Sequence, residues 1–328
     1  MNYRKLGKTG FSVSEISLGT WQVGGKWGEP FSHANADQIL NAAADAGINF
    51  IDTADVYGDG ESEKAVGRLV RSRSERIHVA TKCGRRLQPH VADAYQPAAL
   101  RQFVEDSLRN MQLETLDLVQ LHCPPTDVYY RPEIFELFDR LREEGKILHL
   151  GVSVEKVEEG LKAIEFPNVT TVQLIFNMFR QRPPELLFKE AARRDIGLIV
   201  RVPLASGLLT GKFSAQTSFS ADDHRHFNRN GEAFDKGETF SGVDYAKGLE
   251  AVEELKATFP EYPQLAALAL RWVLMFDEVS CVIPGASSPE QILSNLKAAE
   301  LPALSPEQLQ KVREIYDRKI KPQVHHIW

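Results

Sequence analysis

The strongest constraint on the fold is a regular alternation of short apolar runs with amphipathic segments. Near-continuous apolar runs of this kind are typical of strands that are buried on both faces, as in parallel sheets. Eight runs of this kind occupy residues 16–20, 49–54, 77–83, 116–122, 147–153, 171–177, 197–204 and 280–286. Eight strands that alternate with about as many helices predict an α/β fold, a (β/α)8 TIM barrel that spans residues 1–328 as one domain.

Helical segments are recognised between the runs by their apolar spacing and their end signals. Residues 34–46 place Ile39, Leu40 and Ala43 on one face and stop at Gly47, and residues 97–112 show the same periodicity. Two further helices are predicted to begin with an N-cap serine, a proline and a capping-box glutamine. These two signals are Ser288 to Gln291 and Ser305 to Gln308.

Two segments depart from the alternation. Residues 2–15 read as two short strands around a glycine-containing turn, which predicts a hairpin before the first barrel strand. Residues 205–243 form a long segment with little periodicity after the seventh barrel strand. Long loops in compact domains are usually functional lids or disordered excursions. Because this one leaves the carboxyl end of a barrel strand, it lies on the face where barrel enzymes keep their sites.

Composition excludes several classes of partner. The 39 Lys and Arg against 45 Asp and Glu give a net charge of −6, so there is no basic excess for nucleic acid or anionic membranes. The amino terminus lacks the apolar core of a signal peptide. The three cysteines, Cys83, Cys123 and Cys281, are widely separated and predict free, buried thiols. A cytoplasmic protein without a membrane span is expected.

Four residues that carry chemistry fall at or just beyond the carboxyl ends of neighbouring predicted strands. They are Asp52, Tyr57, Lys82 and His122. Lys and Asp are rarely buried without a partner, so Lys82 in its apolar strand is expected to pair with Asp52 on the next strand. Each of the four alone is compatible with an ordinary structural role, but their convergence on one barrel rim favours a catalytic site.

This group of side chains is suited to carbonyl reduction. A tyrosine hydroxyl has a pKa of about 10, and a nearby ammonium group lowers it, so Lys82 is expected to make Tyr57 a better proton donor. Asp52 would keep Lys82 charged and oriented. His122 could donate a hydrogen bond to the same substrate oxygen. Hydride would then come from a bound cofactor.

At these residues the sequence resembles the aldo-keto reductases, in particular the branch of bacterial sugar-aldehyde reductases and potassium-channel β-subunits. The motifs are GTW (19–21), GINFIDTADVYG (47–58), ATK (80–82), VQLH (119–122), SGLLTGK (206–212) and IPGASSPEQ (283–291). The resemblance covers nearly the whole chain. It implies NADPH-dependent reduction of a small or sugar-derived aldehyde or ketone, with Tyr57 as proton donor in a tetrad with Asp52, Lys82 and His122.

The resemblance also implies a cofactor site. Gly19, Thr20 and Asp52 would border the nicotinamide ribose, Ser153 and Gln173 would hold the carboxamide, and Phe176 would stack on the nicotinamide ring. The remaining cofactor contacts would come from Trp21, Pro203, Leu204, Ser206, Gly207, Thr210, Lys212, Arg225, Gly285, Ser287, Gln291 and Asn295. The substrate would meet Trp21, Trp27, Tyr57 and His122, and no metal is expected.

Two positions depart from the family pattern. Val154 stands where many relatives carry an asparagine that contacts the carboxamide, and Ser287 stands where several branches carry a cation for the 2′-phosphate of NADPH. Arg225 or Arg229 in the long loop could supply that charge. NADP(H) is therefore expected ahead of NAD(H), which remains possible.

Two other functions are compatible with the same residues. The chain could be a regulatory NADP(H)-binding barrel with negligible turnover, or a Schiff-base lyase that uses Lys82 as a nucleophile. The complete tetrad favours catalysis over regulation, and an adjacent Asp52 that keeps the amine protonated argues against the lyase. The identity of the substrate and the oligomeric state do not follow from the sequence.

Overall fold

Eight parallel strands form a barrel at the centre of the molecule in a computed structural model, which describes residues 1–25 and 30–328. Two short antiparallel strands, β1 (Tyr3–Lys5) and β2 (Ser12–Ser14), precede the barrel as the predicted hairpin. The barrel strands are β3 (Leu18–Gly19), β4 (Phe50–Asp52), β5 (His78–Cys83), β6 (Leu116–His122), β7 (Ile147–Ser153), β8 (Val169–Ile175), β9 (Gly197–Arg201) and β10 (Val279–Val282).

Each barrel strand pairs in parallel with the next one along the chain, in the order β3 to β10. Parallel bridges between Ile16 and Val282 and between Gly19 and Gly285 then bring the last strand back to the first. The Ser17 amide donates to the Val282 carbonyl at 2.8 Å across this seam. The predicted (β/α)8 barrel is confirmed, with each of the eight apolar runs at a barrel strand.

Helices separate the strands and form the outer layer. They are α1 (His33–Asp45), α2 (Glu61–Ser72), α3 (Pro97–Met111), α4 (Pro132–Glu143), α5 (Val157–Ala163), α6 (Leu187–Arg193), α7 (His224–Phe227), α8 (Tyr245–Thr258), α9 (Leu265–Leu274), α10 (Pro289–Leu296), α11 (Pro306–Ile315) and α12 (Lys321–Val324). The segments predicted at 34–46 and 97–112 are confirmed as α1 and α3 within one residue. None of the helices in the described ranges has both the length and the apolar character needed to cross a membrane.

The two predicted capping boxes have different outcomes. Ser305 and Gln308 exchange both capping hydrogen bonds at the start of α11, as predicted. Before α10, the Ser288 hydroxyl makes no capping bond. The Gln291 side chain instead accepts from the Ser287 amide at 2.8 Å, one residue earlier than expected. The predicted box at Ser288 is therefore wrong.

The interior of the barrel changes from apolar to polar along the strands. Leu6 and Val13 of the hairpin segment belong to the apolar cluster that fills its amino end. This cluster consists of Leu6, Val13, Phe50, Ala80, Leu118, Ile199, Cys281 and Ile283. Strand side chains two positions apart point to the same side. The residues two positions beyond the apolar ones on β4, β5 and β6 are Asp52, Lys82 and Gln120, so polar groups form the next layer toward the carboxyl end.

The segment 205–243 lies at the mouth of the barrel, as predicted, and contains the short helix α7. Polar contacts hold it there: the Asn177 side chain donates to the Ser241 hydroxyl at 2.8 Å. The Trp328 indole donates to Asp235 at 2.8 Å from the carboxyl-terminal segment. The loop is therefore tied both to the strand side of the barrel and to the tail of the chain.

The cysteines agree with the sequence prediction. Cys83, Cys123 and Cys281 are free and buried. Burial raises the pKa of all three thiols, so they behave as small core residues rather than as reactive thiolates.

Candidate active site

Asp52, Lys82 and His122 stand at or next to the carboxyl ends of three adjacent strands. Parallel pairing puts Asp52 beside Ala80 and Lys82 beside Gln120, while His122 ends β6. Tyr57 lies in the loop between β4 and α2. The geometry therefore brings the four residues together on one rim, as the sequence predicts.

Lys82 is the centre of this group. Its ammonium group donates to the Asp52 carboxylate, to the Thr53 carbonyl at 2.9 Å and to the Tyr57 hydroxyl at 3.3 Å. Its side chain is 1% exposed and that of Asp52 3%. Burial lowers the pKa of Lys82, but the adjacent Asp52 carboxylate outweighs it, so the pKa lies above its usual value. Lys82 is therefore a fixed cation, which argues against its use as a nucleophile.

Asp52 is held from its other side by two amides. Its second carboxylate oxygen accepts from Gln120 at 3.0 Å and from Gln173 at 2.7 Å. Gln173 also donates to the Gln120 side chain at 3.2 Å. Gln120 was not singled out in the sequence, although a polar residue inside the apolar run of β6 is a signal of the same kind as Lys82. Together these bonds fix the direction of the Lys82–Asp52 pair.

Tyr57 is half-buried beside the ammonium group. Burial raises the pKa of its hydroxyl, Lys82 lowers it and Asp52 raises it, and the net pKa is above the ordinary value. Lys82 acts in the predicted direction, but the expected net lowering is wrong because burial of the phenol is larger. The Lys82 nitrogen lies 4.9 Å from the centre of the Tyr57 ring.

His122 faces Tyr57 edge-on, with ring centres 6.0 Å apart. Burial, with the cations Arg85, Lys82 and Arg201, holds the pKa of His122 well below its usual range. The imidazole is therefore neutral at physiological pH. Its Nδ1 is buried without a hydrogen-bond partner among the described residues. Nε2 is thus the ring nitrogen left to meet a ligand.

A large cavity opens beside these residues at the carboxyl end of the barrel. Its volume is about 1450 Å³, more than the roughly 300–1,000 Å³ that drug-sized ligands need. Tyr57 and His122 line it, together with most residues predicted to bind the cofactor. These are Gly19, Thr20, Trp21, Asp52, Gln173, Pro203, Leu204, Ser206, Gly207, Thr210, Lys212, Arg225, Gly285, Ser287, Gln291 and Asn295.

The far end of the cavity is suited to an anion. Ser287 and Gln291 line it at the amino end of α10, where backbone N–H groups favour negative charge. Arg225 also lines the cavity, but Asp223 accepts from its Nε at 2.9 Å and from its Nη2 at 2.5 Å. Lys212 lines it with no ion pair among the residues described in the structure. Arg229 lies outside the cavity lining.

The predicted substrate residues are only partly placed. Trp21 lines the cavity and lies 6.5 Å from Tyr57 between ring centres. Trp27 lies outside the described residues. Ser153 is buried behind the lining, where its hydroxyl donates to Gln173 at 3.5 Å, and Gln173 itself reaches the cavity. The carboxamide contact expected from Ser153 therefore remains a prediction. Of the two residues, Gln173 is the one that lines the cavity.

The prediction for Phe176 is wrong. Its ring packs on the outer face of the barrel against Phe188, Trp272 and Phe276, with ring centres 4.8–4.9 Å apart. The reason is the alternation of side chains in extended backbone: Gln173 on β8 points into the barrel, so Phe176, which directly follows the strand, points out. Phe176 therefore belongs to the core between strands and helices.

This correction gives a first prediction. Phe176→Ala removes a fully buried ring, and such truncations cost about 3–5 kcal/mol. We expect a clear fall in the urea midpoint of unfolding, while the Kd for nicotinamide cofactor measured on the folded protein stays within about twofold. A large weakening of cofactor binding without a loss of stability would instead show that Phe176 contacts the cofactor. Phe188→Ala, in the same cluster, is the matched control.

Charged residues that the sequence reading overlooked also line the cavity. Arg201 ends β9 two positions after the inward-facing Ile199, and Arg85 follows β5. Glu238 comes from the long loop. An arginine at the end of an apolar strand carries the same signal that identified Lys82. Glu238 could not be identified in this way, because it lies in the long aperiodic segment, where no strand or helix position can be assigned from the sequence.

The chain is similar to known proteins along most of its length. Residues 15–317 match the model of the family described as Aldo/keto reductase family. The chain is similar to the aldo-keto reductase YhdN of Bacillus subtilis, at 31% identity over 89% of this chain and 87% of that protein. It is also 28% identical to a probable voltage-gated potassium channel subunit beta of Oryza sativa, over 98% of each chain.

Two further comparisons bear on the cofactor and the fold. The chain is 27% identical to an NADH-specific methylglyoxal reductase of Escherichia coli, over 90% of this chain and 93% of that protein. The structure superposes on aldo-keto reductase AKR11C1 of Bacillus halodurans, in its holo form, with a TM-score of 0.78. That pair shares 26% identity over 99% of each chain.

Proposed function

Because the chain belongs to the aldo/keto reductase family, we propose that it reduces an aldehyde or ketone to the alcohol with a nicotinamide cofactor. One observation carries the proposal. A tyrosine hydroxyl lies 3.3 Å from a buried, charged lysine and faces a neutral histidine at the wall of the large cavity. This is a positioned proton donor with a second hydrogen-bond donor beside it.

Each residue of the tetrad has a distinct role in the proposed reaction. Tyr57 donates its proton to the carbonyl oxygen as negative charge develops there. Lys82 stabilises the phenolate left on Tyr57, and Asp52 keeps Lys82 charged and aimed. Neutral His122 donates from Nε2 to the same oxygen and orients it. The reduced nicotinamide, when bound, supplies the hydride that the carbonyl carbon accepts.

The cavity fits such a cofactor in size and in the character of its lining. It runs from Tyr57 past the 203–212 loop to the amino end of α10, so one elongated molecule would touch all three. Left-handed backbone at Ser206 and Gly207 turns this loop against the cavity. Gln173 and Asp52 would meet the nicotinamide end, and Thr210, Lys212, Ser287 and Gln291 the phosphate and adenosine end.

We propose NADP(H) rather than NAD(H) as the preferred cofactor. Support comes from Lys212, whose charge is not paired within the described ranges, and from Ser287, whose amide and hydroxyl could turn from Gln291 to a phosphate. Asp223 offsets Arg225 and weakens this support. The similar Escherichia coli protein is NADH-specific by name, so the preference needs a direct test.

Fluorescence titration with each cofactor provides that test. Charge-assisted hydrogen bonds to phosphate are worth about 1.5–3 kcal/mol, so we expect NADPH to bind about tenfold tighter than NADH. Lys212→Ala should remove most of this difference, while Lys311→Ala, at an exposed position of α11, should keep it. Tighter binding of NADH would reverse the assignment. No saturable binding of either cofactor would remove the proposed function.

A regulatory cofactor-binding barrel is the second candidate, because one similar protein is named a potassium channel subunit. Rapid mixing of the NADPH complex with 4-nitrobenzaldehyde separates the two functions. Oxidation of bound NADPH much faster than in the absence of aldehyde supports the enzyme. Decay at the same rate with and without aldehyde supports the regulatory protein.

A further inference from the structure

Four charged side chains form a second cluster on the wall of the cavity near His122. Arg85 follows β5, Glu155 follows β7, Arg201 ends β9, and Glu238 belongs to the long loop. Arg85, Arg201 and Glu238 line the cavity, whereas Glu155 lies behind them. Their side chains are 10–21% exposed. The tetrad does not use this cluster, so its presence at the site needs another reason.

The four groups bind one another in a ring. Arg85 Nη1 donates to Glu238 at 2.9 Å, and Arg201 Nη2 donates to Glu155 at 2.9 Å. The two remaining pairs are longer, with 3.9 Å from Arg85 to Glu155 and 3.8 Å from Arg201 to Glu238. The cluster thus joins the loop of Glu238 to the ends of three barrel segments, and it fixes both guanidinium groups beside His122.

The two carboxyl groups of the ring do not share its negative charge equally. Burial raises the pKa of Glu155 to about 8, with the Arg201 guanidinium opposing the rise and Glu238 adding to it. Burial alone would raise the pKa of Glu238, but Arg85 and Arg201 lower it, so this carboxylate stays ionised. Two guanidinium groups therefore face one firmly ionised carboxylate and one that is more easily protonated. Arg180 and Asp235, packed beside the ring, carry opposite charges and add no net charge.

Both arginines keep donors that no described neighbour uses. Nη1 is the single guanidinium nitrogen of Arg85 that donates to a described residue. The Nε of Arg201 is buried and has no acceptor in the described part of the chain. A buried donor without an acceptor is costly, and a planar guanidinium offers two parallel N–H groups to a carboxylate. Arg85 lines the cavity, next to the imidazole that would orient the carbonyl, and its remaining N–H groups are available to a ligand there. The Nε of Arg201 lies deeper, behind the lining.

We propose that Arg85 and Arg201 form a subsite for a carboxylate group of the substrate, so that the preferred substrates are aldehydes or ketones that carry a carboxylate. This inference rests on the proposed function, because it concerns the same substrate molecule. Arg85 makes the primary contact and Arg201 supports it. Glu238 holds the two guanidinium groups in place without neutralising both.

The test compares matched substrates on the NADPH complex. The probes are 3- and 4-carboxybenzaldehyde, each against its neutral primary carboxamide, which has nearly the same shape. For the wild type we expect kcat/KM on at least one acid to exceed that on its amide by about tenfold or more, chiefly through KM. Equal values for acid and amide at both positions would overturn the proposal.

Variants assign the preference to the ring. Arg85→Gln should lower the acid-to-amide ratio of kcat/KM by about tenfold. Arg85→Lys keeps the positive charge but lacks the two parallel N–H groups of a guanidinium, so it should lower this ratio less. The neighbouring Arg86→Gln is the matched control, because Arg86 pairs with Asp59 outside the cavity lining. Loss of activity by the same factor on acid and amide in Arg85→Gln would give Arg85 a general structural role and overturn the assignment.

A binding measurement separates this proposal from the proposed function. Calorimetric titration of the NADP⁺ complex with 4-(hydroxymethyl)benzoate does not depend on turnover. If the wild type binds this anion and Arg85→Gln weakens the binding about tenfold, the subsite is supported, whether or not any aldehyde is reduced. Absence of aldehyde reduction would count against the proposed enzyme function and not against the subsite. Reduction of the amides without preference for the acids, and no binding of this anion, would keep the enzyme and remove the subsite.

Discussion

Replacing Tyr57 by phenylalanine is expected to lower kcat for carbonyl reduction by about 10²–10⁴-fold, the usual contribution of a positioned general acid. The hydroxyl lies 3.3 Å from the Lys82 ammonium at the cavity wall, and removing it removes the proton that the carbonyl oxygen needs. The ring itself, with its contacts to His122 and Trp21, would remain.

The variant should lose turnover and keep its stability and its affinity for the cofactor. Lys82 keeps its bonds to Asp52 and Thr53 in this variant, so the free energy of unfolding should change by no more than about 1 kcal/mol. The cofactor Kd should stay within about twofold. Tyr129→Phe is the control, because that buried hydroxyl has no hydrogen-bond partner in the described structure and lies away from the cavity. Turnover equal to the wild type in Tyr57→Phe would remove Tyr57 from its role.

The pH profile gives a second measure of the same group. Reduction requires protonated Tyr57, so activity should fall as pH rises through the pKa of its hydroxyl. Because burial raises this pKa above the ordinary value of about 10, the rate should hold constant from neutral pH to beyond about pH 10. The residual activity of Tyr57→Phe should lack this basic limb. A limb near pH 7 in the wild type would contradict the assignment.

Much of the barrel and its rim could be predicted because local patterns agree with the global fold. Apolar runs located the eight strands, most of them within a residue or two, and periodicity and capping signals located α1, α3 and α11. Lys82 and Asp52 stood out since an ionised side chain in an apolar strand needs a partner, which only a neighbouring strand can supply. Their meeting with Tyr57 and His122 then followed from the parallel order of the strands.

What could not be predicted depends on quantities that a sequence does not display. The side on which Phe176 points changes with a shift of one residue, and the resemblance placed its ring on the wrong face. The net pKa of Tyr57 depends on how much burial opposes Lys82, which needs coordinates. Glu238 accepts a hydrogen bond from Arg85, which is 153 positions away in the sequence. The long loop has no periodicity from which this contact could be predicted.

Replacing Lys82 by methionine is the second change with a large expected effect, because it alters both stability and chemistry. Removing one partner of a buried ion pair leaves Asp52 uncompensated, which costs about 3–5 kcal/mol. The pKa of Tyr57 should rise further without the ammonium group. A weaker acid donates more slowly, so we expect kcat to fall by about 10²-fold or more.

The double variant Lys82→Met, Asp52→Asn separates the two effects. Neutralising the carboxylate removes the uncompensated charge, and the asparagine carbonyl can still accept from Gln120 and Gln173. Urea unfolding should therefore show that the double variant regains most of the lost stability, while kcat stays low because no cation faces Tyr57. If activity returned together with stability, Lys82 would serve the fold rather than the proton transfer. Only a continued loss of turnover in a well-folded barrel assigns the ammonium group to the chemistry.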